Sequence, residues 1–144
     1  MKVLKQVSGI DVAQKELVVS LGRMNENLIT EVYAFKTFSN TEKGFIALVQ
    51  WVTKLTAAEI PVRYVMEATG VYHETLAYYL ADNGHEVSIL MPNKMSNFSK
   101  TLETKTITDK TASQAIALFG LEKQMSIWQK PKQVYRELRQ VTRE

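Results

Sequence analysis

Residues 2–38 read KVLKQVSGIDVAQKELVVSLGRMNENLITEVYAFKTF, and three β-strands are legible in them. Residues 2–10 and 17–21 are rich in Val, Leu and Ile, with Val18 and Val19 at the centre of the second run. Residues 28–38 alternate apolar and polar, as a half-buried strand must when successive side chains point to opposite faces. Between the second and third runs, residues 23–27 (RMNEN) read as a hairpin loop. Three successive strands with short connections imply an antiparallel meander.

Beyond residue 38 the apolar period changes. Asn40 or Thr41 can cap a helix, Glu42 falls in its first turn, and Phe45, Leu48, Val49 and Val52 follow at helical spacing. Pro61 ends that connection, and residues 62–66 (VRYVM) form a short strand running into Glu67. Ala68, Thr69 and Gly70 make a turn. A helix bearing Leu76, Tyr79 and Leu80 then closes at Asn83 and Gly84, and residues 86–90 (EVSIL) are the last strand. Pro92 opens another helical segment. Residues 108–124 carry Ala112, Ala115, Ile116 and Phe119 at helical spacing, with Gly120 a weak point. The order is βββ-α-β-α-β-α followed by additional C-terminal helices, an α/β chain with a mixed five-stranded sheet on the ribonuclease-H-like plan.

The chain has 144 residues, room for one compact domain, and is 45% apolar and 23% charged, the profile of a soluble globular protein. With no cysteine, disulfides and thiolate metal sites are excluded. No stretch approaches the roughly 20 apolar residues of a membrane span, and residues 1–12 lack a signal-peptide pattern. The expectation is a cytoplasmic protein without a membrane partner. Charge is uneven: residues 1–93 carry 8 Lys+Arg against 10 Asp+Glu, and residues 94–144 carry 10 against 5. A basic last third on a near-neutral body points to a polyanion, although a solvated helix face reads the same way.

Two carboxylates lie at strand ends. Asp11 follows residues 7–10 and Glu67 follows residues 65–66, and in open α/β sheets functional groups collect at such positions. In the strand order above, the first and fourth strands are neighbours, which brings Asp11 and Glu67 together. Paired carboxylates repel unless a cation lies between them, and oxygen ligands suit Mg²⁺ or Mn²⁺. Asp109, at the start of the basic helix, is the candidate third acid, with Lys105 and Lys110 near it as phosphate contacts. The competing account makes Asp11 a turn former and Glu67 a helix cap. Two histidines, His73 and His85, are too few for a zinc site. Phe45, Trp51 and Tyr79 read as core, and the six methionines as core filler. Lys94 and Lys100 either extend the phosphate track or belong to a solvated face.

Three segments carry a resemblance: residues 9–15 (GIDVAQK), 66–72 (MEATGVY) and 108–117 (TDKTASQAIA). In order and spacing they resemble the DEDD transposases of the IS110/IS1111 insertion sequences, the E-A-T-G-x-Y piece being the most specific. The resemblance implies a RuvC-like catalytic domain whose four acids hold Mg²⁺ or Mn²⁺ for DNA strand cleavage and exchange. By motif match Asp11, Glu67 and Asp109 are the first three acids. The fourth belongs at Ala112, which cannot ligate, so catalysis is expected to be impaired. Either the alanine was introduced to disable the site or activity was lost naturally; the intact surroundings favour the first.

The resemblance further implies a C-terminal domain with a nucleophilic serine, an RNA guide encoded by the element, and a homo-oligomer. Residues 1–125 would be the catalytic domain and residues 126–144 the start of a helical arm, in which Val134, Leu138 and Val141 form a narrow stripe. Three other readings are open: a resolvase-like metal-dependent nuclease, a non-catalytic nucleic-acid-binding module, and an actin-like ATPase half. Residues 13–16 (AQKE) lack the Gly and Ser/Thr that the last would need.

Overall fold

The computed structural model describes residues 2–68, 70–92 and 109–130, the side chains of residues 109–111 excepted. Five strands, β1 (Val3–Val12), β2 (Glu16–Asn25), β3 (Thr30–Ser39), β4 (Val62–Glu67) and β5 (Glu86–Leu90), form one sheet in the order β3-β2-β1-β4-β5. The meander pairs antiparallel, and β4 pairs parallel with both β1 and β5. Helices α1 (Glu42–Leu55) and α2 (Glu74–Asp82) connect the later strands, and α3 (Asp109–Glu122) follows. The mixed sheet and its strand order are those of the ribonuclease-H-like plan.

Period-two alternation divides the strands between two cores. Ile10, Val12, Leu17, Val19, Leu21, Tyr64 and Met66 face α1 and α2, where Phe45, Leu48, Leu76 and Leu80 meet them. Val7 and Val65 face the opposite way, with Leu90, and pack on Ile116, Ala117, Phe119 and Leu121 of α3. Each fully buried aliphatic side chain contributes about 1.5–3 kcal/mol of transfer free energy. The α1 boundary follows its sequence signals: Thr41 is the N-cap, its Oγ1 accepting from the Gly44 N–H at 3.2 Å. Asn40 is a strut instead. Its Nδ2 donates to the Ala13 and Tyr72 carbonyls, at 2.8 and 3.2 Å.

Three expectations are corrected. Residues 23–25 are strand, not loop: Arg23 pairs with Gln6 and Glu31, its guanidinium 3.0 Å from the Glu31 carboxylate and over the Tyr33 ring. These cross-strand contacts compensate for the poor strand propensity of RMN. The turn is tighter, with Asn25 Oδ1 accepting from the Asn27 and Ile29 amides. Asp11 is the last residue but one of β1 and Glu67 the last of β4, so both belong to the strand ends rather than following them. Gly120 is not a weak point. A Cβ there would come within 2.8 Å of Val7 and 3.1 Å of Val65, so the missing side chain lets α3 close on the sheet.

The β5 edge is covered by the chain after α3. The Trp128 amide donates to the Val87 carbonyl at 2.6 Å, and Ser88 Oγ donates to the Ser126 carbonyl at 2.8 Å. Trp128 also packs edge-on against Tyr78. The helical segment expected from Pro92 and the helix expected within residues 131–144 fall outside the described residues, save Pro92 itself.

Candidate active site

The β1–β4 register runs Gln6 to Val62 through Ile10 to Met66, so the next step sets Asp11 level with Glu67. Adjacent strands are about 4.8 Å apart. Both carboxylates belong to the α3 face, being two residues on from Gly9 and Val65. Glu67 has Leu90 opposite it on β5 and Asp11 beside it on β1. Partial burial, and then the Asp11 charge, hold Glu67 above its ordinary carboxylate range.

Helix α3 runs along β1 in the opposite direction, and small residues fix its height. Gly9 lies directly beneath the helix backbone: a Cβ there would sit 2.4 Å from the Ala117 nitrogen and 2.6 Å from the Ser113 oxygen. Further along, Gly120 passes Val7, and Lys5 Nζ donates to the Leu121 and Lys123 carbonyls at 3.4 and 3.1 Å. The N-terminal turn of α3 therefore lies at the Asp11 end of β1. Ser20, paired with Gly9 across β1–β2, and Ser113 are both buried, their hydroxyls 2.7 Å apart. Asp109 is the first residue of α3, one turn ahead of Ser113, and half-buried Ala112 immediately precedes that serine.

The fold thus brings Asp11 and Glu67 level and sets the α3 turn holding positions 109 and 112 at their end of the sheet. The side chains of Asp109 and Lys110, and all of Lys105, Lys94 and Lys100, lie outside the described residues. Among the described residues no group of three or more His, Cys, Asp or Glu forms a metal site. An all-oxygen donor set nonetheless suits a hard divalent cation. His73 stands at the N-cap position of α2, and His85 lies against the Tyr64 ring, its pKa lowered by burial. Phe45 is buried, with Trp51 and Tyr79 packed against the same core.

Sequence reasoning missed Gly9, Ser20 and Ser113. The available signal was the run of small residues Ser113, Ala117 and Gly120 at i, i+4, i+7, facing Gly9 and Gly22.

This sheet, its helices and a carboxylate pair at the C-terminal ends of β1 and β4 define a RuvC-like, ribonuclease-H-like domain. Solved structures share the fold at low identity. Thermus thermophilus RuvC matches with a TM-score of 0.60 at 10% identity, covering 85% of this chain and 99% of that one. The Fowlpox virus resolvase, solved with Holliday junction DNA, matches with a TM-score of 0.57 at 10% identity, covering 81% and 97%.

The family model for DEDD transposases of the IS110 type, described as "Transposase", matches residues 8–144, and the chain belongs to that family. Among curated proteins, the pilin gene-inverting protein of Moraxella lacunata is 33% identical over 93 residues, covering 65% of this chain. That of Moraxella bovis is 32% identical over the same length. The chain spans 29% of the length of these relatives.

Proposed function

We propose that this chain is the metal-binding catalytic domain of a DNA transposase, which handles the scissile phosphate during strand cleavage and exchange. The observation that carries the reading is the level pair Asp11 and Glu67 on adjacent parallel strands. Asp11, Glu67 and Asp109 would hold Mg²⁺ or Mn²⁺. When bound there, the metal would supply Lewis-acid activation of a phosphate oxygen and of the attacking nucleophile. The chain's own part is positional: β1 and β4 hold two oxygen donors rigidly, and the Gly9 crossing sets how closely α3 approaches them.

Ala112 removes one donor, so this chain would bind metal weakly and cut poorly. Lys105 and Lys110 would meet backbone phosphates of DNA. Catalytic residues 1–125 and an arm over residues 126–144 suit a longer protein, consistent with the short share of the relatives that this chain spans. An RNA guide, a homo-oligomer and a cytoplasmic, prokaryotic setting belong to the same reading; no described helix is long and apolar enough to cross a membrane. That a fold neighbour was solved with Holliday junction DNA supports DNA as the partner and favours a second reading, a resolvase-like nuclease.

Calorimetric titration with Mn²⁺ tests the site. The expected result is weak binding by this chain, lost in Asp11→Ala and in Glu67→Ala. Binding that survives both substitutions would place the metal elsewhere.

A further inference from the structure

A groove of about 510 Å³ opens between the first turns of α1 and α2, at the C-terminal end of the sheet. Its walls include Gln14, Glu42, Phe45, Tyr72 and Tyr79. Asn40 braces it: its amide holds the Ala13 carbonyl, two residues after Asp11, and the Tyr72 carbonyl, five residues after Glu67. The groove is therefore tied to the segments that follow both acid-bearing strands. Phe45 and Tyr79 make an aromatic wall, their ring centroids 5.4 Å apart. Tyr72 is 44% exposed and its neighbour Val71 50%, a large apolar surface turned to solvent.

Among the described residues the lining contains no Lys or Arg and one carboxylate, Glu42. That charge repels a phosphate but accepts a hydrogen bond from an amine, as carboxylates do when they read the N4 amine of cytosine. Aromatic faces, side-chain amides and a space within the range of small-ligand sites fit a planar, hydrogen-bonding heterocycle. We propose that the groove takes one unpaired nucleobase with an exocyclic amine, from the DNA strand that the domain handles. Tyr72 stacks on its face and Glu42 accepts from its amine. Thymine offers no such donor and turns carbonyl oxygens toward Glu42. The inference rests on the DNA-handling reading above and deepens it by naming where an unpaired base of that strand is held.

Fluorescence anisotropy with labelled deoxycytidine and thymidine hexamers tests this on the present chain. Deoxycytidine should bind about fivefold more tightly than thymidine, and Glu42→Gln should erase that preference. Tyr72→Ala should weaken deoxycytidine binding about tenfold, while Tyr72→Phe, which keeps the stacking face, should not. Equal affinity for the two hexamers, binding of neither, or an unchanged affinity in Tyr72→Ala would each overturn the proposal. A ribocytidine hexamer bound more tightly, with the same dependence on Tyr72 and Glu42, would overturn DNA as the source. Hexamer binding is read in EDTA and Mn²⁺ binding without oligonucleotide, so a failed groove and a failed metal site give separate signals.

Discussion

The hydroxyls of Ser20 and Ser113 lie 2.7 Å apart with both residues wholly buried, and this contact joins the α3 helix to β2 across 93 residues of chain. It occurs one helical turn after Asp109 and one residue after Ala112, so it helps set where that turn stands relative to Asp11.

Ser113→Ala leaves the Ser20 hydroxyl buried without this partner, which should cost about 1–3 kcal/mol. The double variant with Ser20→Ala should cost less than the sum of the single changes, by about 0.5 kcal/mol or more, because the second change removes the stranded group. Urea unfolding of the four proteins measures this coupling; strict additivity would mean the two hydroxyls do not act as a pair.

Gly9→Ala should be worse than either serine change. The new methyl would meet backbone atoms of Ala117 and Ser113 rather than a yielding side chain, so α3 must lift or tilt. The expected cost is about 3 kcal/mol or more. Hydrogen exchange should show the amides of α3 losing protection while those of α1, on the other face, keep theirs. Equal loss on both faces would contradict a local lift of the helix.

The strand order was legible because each strand announces itself by β-branched runs or alternation and each connection by a cap or a turn. The neighbourhood of Asp11 and Glu67 followed from that order alone. Strand lengths were less legible: Arg23, Met24 and Asn25 are strand only because Glu31, Tyr33 and the β1 ladder meet them, and such partners are invisible in a local window. Gly120 misled for the same reason. In isolation glycine weakens a helix, whereas here it is the surface that passes Val7 and Val65. The helix-to-sheet approach depends on small residues on two distant segments at once, and one segment does not name the other.

Glu67 gives the metal-free domain a defined pH response. Its folded pKa lies above the ordinary value of 4.5, through burial and then Asp11, so the folded state holds its proton more tightly than the unfolded state. Its favourable contribution is complete below 4.5 and is lost as pH rises through the raised folded value. Glu67→Gln removes the charge, so the variant should match the parent near pH 4 and exceed it by about 0.5 kcal/mol near pH 7, the scale of a partly solvated charge pair. Thermal melts in EDTA at the two pH values measure the difference; a variant less stable at pH 7 would mean that Glu67 is held by a favourable partner instead.

Ala112→Asp separates the electrostatic cost of the acid cluster from its use. Position 112 shares the α3 turn that lies at the Asp11 end of β1, and a carboxylate there adds a further negative charge near two that already repel. Without metal, this substitution should lower the melting temperature at neutral pH and raise it relative to that value at acid pH, where carboxylates are protonated. With a divalent cation the sign reverses, because a ligand that binds only the folded state stabilises it by RT ln(1 + [L]/Kd), about 2.7 kcal/mol at a hundredfold excess over Kd. Melts of the parent and Ala112→Asp, in EDTA and in millimolar Mn²⁺, should therefore cross: the parent more stable without metal, the variant more stable with it. Adding Asp11→Ala to the variant should abolish the gain, since the ion would lose the strand-borne ligand. A variant that is destabilised equally in both solutions would show that position 112 does not face the carboxylate pair, and would remove the case for a metal held between α3 and the strand ends.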